Sequence, residues 1–215
     1  MAGSQLSSAG DSATISTRIA WAATADAGTS YTLRERMDLG STRAVATVTG
    51  AAFPGSIRLP LTLGHGYRFD VHPTITTGPI RVLGALHTGP VFDLLSYQEN
   101  SSQVTYSGTW TAITNASRTG GHATASNSMG ATATFTFTGR SVGWVGRTGP
   151  GQGMAQVYVD GRFAGTFDLS TMKSAVRTLV FTRAWPTSGQ HVVQISESGI
   201  LNHPPVEVDG FVVMD

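Results

Sequence analysis

Cysteine is absent from this 215-residue chain. Disulfide frameworks, zinc–thiolate centres, iron–sulfur clusters and cysteine nucleophiles are thereby excluded. Packing and hydrogen bonding must hold the fold together. Charge is scarce as well. Asp, Glu, Lys and Arg make up 13% of the residues, against about 25% in an ordinary soluble domain. Lysine occurs once, at Lys173, and the 14 basic residues are scattered, leaving a formal net charge of +1. No basic stripe forms, so nucleic acid is not an expected partner. No apolar run is long enough to span a bilayer, so membrane insertion is not expected either. The opening Met-Ala-Gly-Ser-Gln-Leu-Ser-Ser-Ala-Gly lacks the basic and apolar regions of a signal peptide. The expectation is a chain complete from Met1 that reaches the outside by another route, such as assembly into a virus particle, or one whose leader has been removed.

What remains is 40% hydrophobic residues and a polar complement of Thr, Ser, Asn and Gly. That composition suits β proteins on extracellular or particle surfaces. It does not suit a disordered chain, which needs high charge and low hydrophobicity. The segment from Ala131 to Phe167 is the most informative. Apolar and polar residues alternate through Ala131, Ala133, Phe135 and Phe137, and again through Val157 and Val159. Period-two alternation predicts strands with one buried face. Gly149-Pro150-Gly151 punctuates the run as a loop, and Asp160-Gly161 supplies the positive φ angles of a tight hairpin.

Residues 1–12 are rich in Ser, Gly and Ala and read as a flexible arm. A first body over 13–96 carries candidate strands at 13–22, 30–37, 43–49, 56–61, 66–72, 79–86 and 90–95. Short strands at this spacing predict a β-sandwich. The polar stretch 97–102 reads as a linker. A second body over 103–215 carries candidate strands at 104–111, 122–126, 131–138, 141–147, 154–159, 162–168, 176–182, 191–196 and 206–214. That number suits a jelly roll. A single helical turn is expected within 170–176.

The first body resembles a fibronectin type III domain. Trp21 lies on an early strand and Tyr31 opens the next. Leu63-Gly-His-Gly-Tyr67-Arg-Phe69-Asp-Val71 follows the family pattern in outline. The resemblance implies that Tyr67 forms a tyrosine corner. His65-Gly66 and His72–Pro79 depart from that pattern. The second body is similar to galactose-binding-like jelly rolls of secreted actinobacterial proteins, which often follow a fibronectin type III domain. The residues that carry this are Tyr106-Ser-Gly-Thr-Trp110, Gly130–Gly139, Val142-Gly-Trp144-Val-Gly-Arg147, Gly149-Pro150, Val157–Gly161 and Val206–Phe211. The fold expected is all-β: two tandem antiparallel sandwiches, fibronectin type III/Ig-like and then jelly roll. The resemblance implies a non-catalytic module associated with carbohydrate.

Sugars bind through flat apolar ring faces and a few orienting polar groups. Trp144 sits in an apolar strand and is expected in the core. Trp110 ends a strand and packs at a core or edge position, with ligand contact as its alternative role. Trp185 precedes the turn Pro186-Thr-Ser-Gly189 and is either an exposed platform or a cap on the sandwich end. Arg147, followed by the Thr148–Gly153 loop with Gln152, is placed to grip a carboxylate or sugar hydroxyls, or to bond loop carbonyls. The candidate ligand residues are therefore Trp185, Arg147, Trp110 and Gln152. Glu197, Glu207, Asp209 and Asp215 are read as solvated strand ends rather than a calcium site. Gly10-Asp11-Ser12 resembles an esterase nucleophile block, without the strand before it or the later Asp-x-x-His. The six histidines show no metal-ligand spacing. Neither a catalytic residue nor a cofactor nor a metal is expected.

The expected function is a non-enzymatic surface or adhesion module, displayed in several copies and binding a cell-envelope glycan or polysaccharide. The alternative is a structural virion component, a capsid decoration or minor tail protein of an actinobacterial phage, contacting capsid or tail proteins or itself. A third reading is the accessory carbohydrate-binding region of a secreted hydrolase.

Overall fold

The computed structural model describes residues 13–21, 29–49, 55–199 and 204–215. The arm expected at 1–12, with its Gly10-Asp11-Ser12 block, lies outside them. Among the described residues the regular structure is β, apart from one 3-10 turn at Thr119–Gly121. The chain forms two units: Ser16–Leu61 with His65–Asp93, and Leu94–Asp215 with Thr62–Gly64 and the residues up to Ile15.

The first unit is built on β1 (Thr14–Trp21), β2 (Thr29–Met37), β3 (Arg43–Thr49), β4 (Gly55–Thr62), β5 (His65–Thr77), β6 (Ile80–Leu83) and the start of β7 (His87–Gln98). One sheet has the order β3-β2-β5-β7, with β6 paired to β5; β1 and β4 pair separately. Alternation explains which side chains go inside. β2 buries Tyr31, Leu33 and Glu35, and β5 buries Tyr67, Phe69 and Val71, as period-two strands with one covered face must. Leu33 lies opposite Val71 in an antiparallel register. Tyr67, Phe69 and Phe92 stack at centroid distances of 5.9 to 6.2 Å. The buried Glu35 is held by Arg43, whose Nη2 lies 2.7 Å from Oε2. An unpaired carboxylate there would be costly.

The second unit contains β8 (Val104–Ser107), β9 (Thr111–Thr114), β10 (His122–Ser126), β11 (Thr132–Thr148), β12 (Met154–Val159), β13 (Arg162–Asp168), β14 (Ala175–Glu197), β15 (Val206–Val208) and β16 (Gly210–Met214). β11 and β14 are long because each serves two layers. The register between them shifts between Gly139 and Ser141, where both strands turn a corner. The first half of β11 pairs with β8 and with the last part of β14, which continues to β12 and β13. The second half pairs with the first part of β14 and with β16, which continues to residues 94–98 of β7. A further sheet has the order β15-β10-β9. Phe135, on the first half of β11, stacks on Phe211 of β16 at 4.2 Å and 11°. The two layers therefore close on each other as a sandwich. Trp144, Phe135, Val157, Ile195 and Val213 lie in this core with at most 1% exposure.

Particular expectations changed. The single strand expected over 104–111 is β8 and β9, interrupted at Gly108, whose φ is +84°. The helical turn expected within 170–176 is an irregular loop. There Ser170 N–H bonds Asp168 Oδ1 at 2.8 Å and Thr171 Oγ1 donates to Lys173 C=O at 2.9 Å, local bonds that compete with a helix. Residues 97–102 comprise the end of β7, the buried Glu99, and a turn in which Ser101 N–H donates to Gln98 C=O at 3.0 Å.

Candidate functional site

The hairpin between β12 and β13 turns at Asp160-Gly161, with φ of +50° and +74°. This positive-φ pair is what a two-residue turn of this kind demands. Asp160 is tied across to β14 at three points. Its N–H donates to Val192 C=O at 2.9 Å. Its Oδ1 accepts Val192 N–H at 2.9 Å, and its Oδ2 lies 2.9 Å from His191 Nδ1. Burial works against the Asp160 charge. The Val192 N–H, the His191 hydrogen bond and the nearby His191 and Arg162 charges outweigh it, so the carboxyl lies below its ordinary range.

The His191 ring stacks on Trp185 at 3.8 Å and 15°, and Phe137 approaches the same indole at 6.0 Å. Trp185 is half-buried against the core. Its ring position is thus fixed through His191 to the Asp160 turn. Beside it lies a groove of about 430 Å³ lined by Asp160, Arg162, Phe163, Ala164, Arg183 and Trp185. That volume is within the range of small-ligand sites. Phe163 is 59% exposed and is braced by the Tyr158 ring at 5.6 Å. The groove combines apolar ring surface, guanidinium donors and one carboxylate, a set able to stack on a sugar ring and orient its substituents.

The other sequence-predicted residues lie elsewhere. Ser141 pairs with Ala184 at the groove end of β11. Arg147 is six residues further along, roughly 20 Å at the rise of a strand. Gln152 is buried in its own loop, where its N–H donates to Gly149 C=O at 3.2 Å. Trp110 rests against Tyr106 at 5.0 Å, and its Nε1 donates to Ser107 C=O at 3.1 Å. Of the four candidates, Trp185 alone lines the groove. Trp144 is fully buried, as its strand context required. Asp160, His191, Phe163, Arg162 and Arg183 were missed. Asp160-Gly161 was legible as a turn, but nothing local to it announces a histidine 31 residues away.

Of the four acids read as solvated strand ends, Asp215 is exposed, but Glu197, Glu207 and Asp209 have at most 2% exposure. Arg118, also buried, reaches Glu207 with Nε–Oε1 at 2.6 Å and Nη2–Oε2 at 2.9 Å. Asp209 Oδ1 accepts Thr119 N–H at 2.9 Å. Burial pushes the Asp209 carboxyl up to about 7, with Glu207 adding to the rise and the Thr119 and Arg118 contacts opposing it. Glu197 Oε1 accepts Gly199 N–H at 2.9 Å. The sequence did not show that Arg118 and the 3-10 turn fold over β15 and β16.

No protein-family model matches the chain. It is 29% identical over 128 residues to the A type blood N-acetyl-alpha-D-galactosamine deacetylase of Flavonifractor plautii, covering 60% of this chain and 16% of that enzyme. It is 29% identical over 113 residues to the A type blood alpha-D-galactosamine galactosaminidase of the same organism, covering 53% and 10%. The chain thus spans less than a fifth of the curated relatives it matches. Among solved structures it is similar to a family two carbohydrate esterase from Cellvibrio japonicus (TM-score 0.43, 14% identity, 57% of this chain and 34% of that one). A carbohydrate-binding module in complex with calcium and xylotriose also matches (TM-score 0.37, 13% identity, 57% and 98%). The architecture stands on its own strand order and register.

Proposed function

We propose that this protein is a non-enzymatic glycan-binding module, with the Trp185–Phe163 groove as its site. The carrying observation is an indole stacked on His191, itself bonded to Asp160, at the wall of a groove that also exposes Phe163 and two guanidinium groups. Rigid aromatic surface costs little conformational entropy to present to a ligand. The two curated relatives are named for acting on galactosamine sugars, which supports a sugar-associated role. Their names also favour the accessory region of a carbohydrate-active enzyme over a virion component. The first unit would then be a fibronectin type III-like spacer, a reading supported by its β3-β2-β5-β7 sheet and separate β1-β4 pair. The setting that fits is extracellular display, in copies that make weak single sites useful.

The test is affinity electrophoresis through gels containing soluble polysaccharides, with wild type, Trp185→Ala and Phe163→Ala. Retardation of wild type, reduced about tenfold or more in apparent affinity by either substitution, is expected. Unretarded wild type across neutral, acidic and amino-sugar polymers would refute the reading. Saturable binding to phage particles instead would point to the virion role.

A further inference from the structure

The charges on the groove walls do not balance. Asp160 is the one carboxylate among the lining residues, and both its oxygens are already engaged by Val192 N–H and His191. Arg162 and Arg183 line the same groove and are exposed. Among the described residues neither makes an ion pair. Elsewhere in the chain Arg43, Arg68 and Arg118 are each paired with a carboxylate at 2.7, 3.2 and 2.6 Å. Arg162 interacts electrostatically with Asp160, yet two guanidinium groups face one carboxylate in the lining beside Trp185 and Phe163, an excess of one positive charge.

We infer that the groove selects an anionic saccharide, one whose ring carries a carboxylate or a sulfate, with Arg162 and Arg183 holding the oxyanion while Trp185 and Phe163 take the ring. This inference rests on the glycan-binding reading and sharpens it. A guanidinium presents parallel N–H donors that match an oxyanion, and such charge-assisted bonds are about twice as strong as neutral ones. At these exposed positions the contact is screened by salt, so the preference should be largest at low ionic strength. The Asp160 charge offsets one of the two guanidinium charges and leaves the other in excess, which keeps the lining positive toward an anion. A free amino sugar would meet that excess positive charge and is disfavoured by the same arrangement.

The experiment uses the full chain with polygalacturonate, dextran sulfate, dextran, chitosan and polyglutamate. Dissociation constants are measured by affinity electrophoresis at low and at physiological salt. Wild type, Arg162→Gln, Arg183→Gln, the double variant and Trp185→Ala are compared, with thermal melts confirming that each is folded. Wild type is expected to bind one or both acidic polysaccharides at least tenfold more tightly than dextran, and chitosan more weakly still. The double Arg→Gln variant should lose that preference by about tenfold, weakening the acidic polymers far more than dextran. Trp185→Ala should weaken every polysaccharide. Polygalacturonate against dextran sulfate decides whether carboxylate or sulfate is the oxyanion recognised. Equal affinity for dextran and the acidic polymers, unmoved by the Arg→Gln changes, overturns the inference and leaves the glycan reading standing. Equal binding of polyglutamate overturns it too, as mere polyanion attraction. Failure to bind any polysaccharide removes both.

Discussion

Asp209 concentrates the electrostatics of the second unit in one side chain. It has no exposed surface, and its neighbour Glu207 is claimed by Arg118. Its carboxyl titrates near 7 in the folded protein, against 3.8 for the unperturbed group. Between those values the folded state holds a proton that the unfolded state has released, so stability falls as pH rises through this window. At full effect the loss is up to ~4 kcal/mol. Asp209→Asn keeps an acceptor for Thr119 N–H and removes the charge. The variant should be about 1–2 kcal/mol more stable than wild type at pH 8, and its stability should vary less between pH 5 and pH 8. Urea unfolding across that range measures both. An unchanged slope would show that Asp209 does not carry the dependence.

At the level of elements, one arrangement recurs in the two units. Asp38 has φ of +51°, as Asp160 has +50°. Asp38 N–H donates to Gly66 C=O at 2.7 Å, its Oδ1 accepts Gly66 N–H at 2.9 Å, and its Oδ2 lies 2.7 Å from His65 Nδ1. Asp160 does the same with Val192 and His191. In each case an aspartate in the left-handed region latches a turn to a histidine and to the backbone of the next residue. The His65 and Gly66 bonds hold the Asp38 carboxyl below its ordinary value, as those of Val192 and His191 hold Asp160. For a lowered carboxyl the stabilisation is complete above the unfolded value. It is lost as pH falls through the lower folded one. The double variant Asp38→Asn, Asp160→Asn should therefore lose less stability than wild type between pH 4.5 and pH 2.5, read from urea midpoints; parallel curves would dismiss the latches as pH-sensitive elements. The corner of β11 offers a steric test. A Cβ on Gly139 would lie 2.5 Å from Val213 Cγ1 and 2.9 Å from the Met214 carbonyl oxygen. Gly139→Ala should destabilise by about 1–3 kcal/mol, seen as a lower denaturation midpoint. Full stability would mean that the corner has room to open.

At the scale of the whole molecule, the proposed binding through one open groove implies weak monovalent affinity. Weak sites become effective when copies act together, with avidity gains of 10²–10⁴ where geometry permits. Protein coupled densely to beads should therefore be retained by polysaccharide surfaces that the free chain leaves within seconds. Trp185→Ala on the same beads should abolish retention. Retention of the variant would move the binding surface elsewhere. The same scale shows what could be read without coordinates. Strand positions were legible because alternation at period two is local and the punctuating Gly, Pro and Asp-Gly residues are local too. Trp144 in the core and the Asp160-Gly161 turn followed for that reason. The joining of 131–138 with 141–147, and of 176–182 with 191–196, was not legible. A strand that bends from one layer to another leaves no local signature beyond a glycine.

By itself the amino-acid sequence determined an all-β chain, stabilised without disulfides, whose strands bury alternate residues. Those are consequences of side-chain chemistry at neighbouring positions. Tertiary structure alone decided which polar residues meet. His191 reaches Asp160 across 31 residues and Arg118 reaches Glu207 across 89. Trp185 gains its groove partners Arg162 and Phe163 because β12, β13 and the bend of β14 converge at one end of the sandwich. Pairings over such separations depend on register and layer closure, which no local pattern encodes.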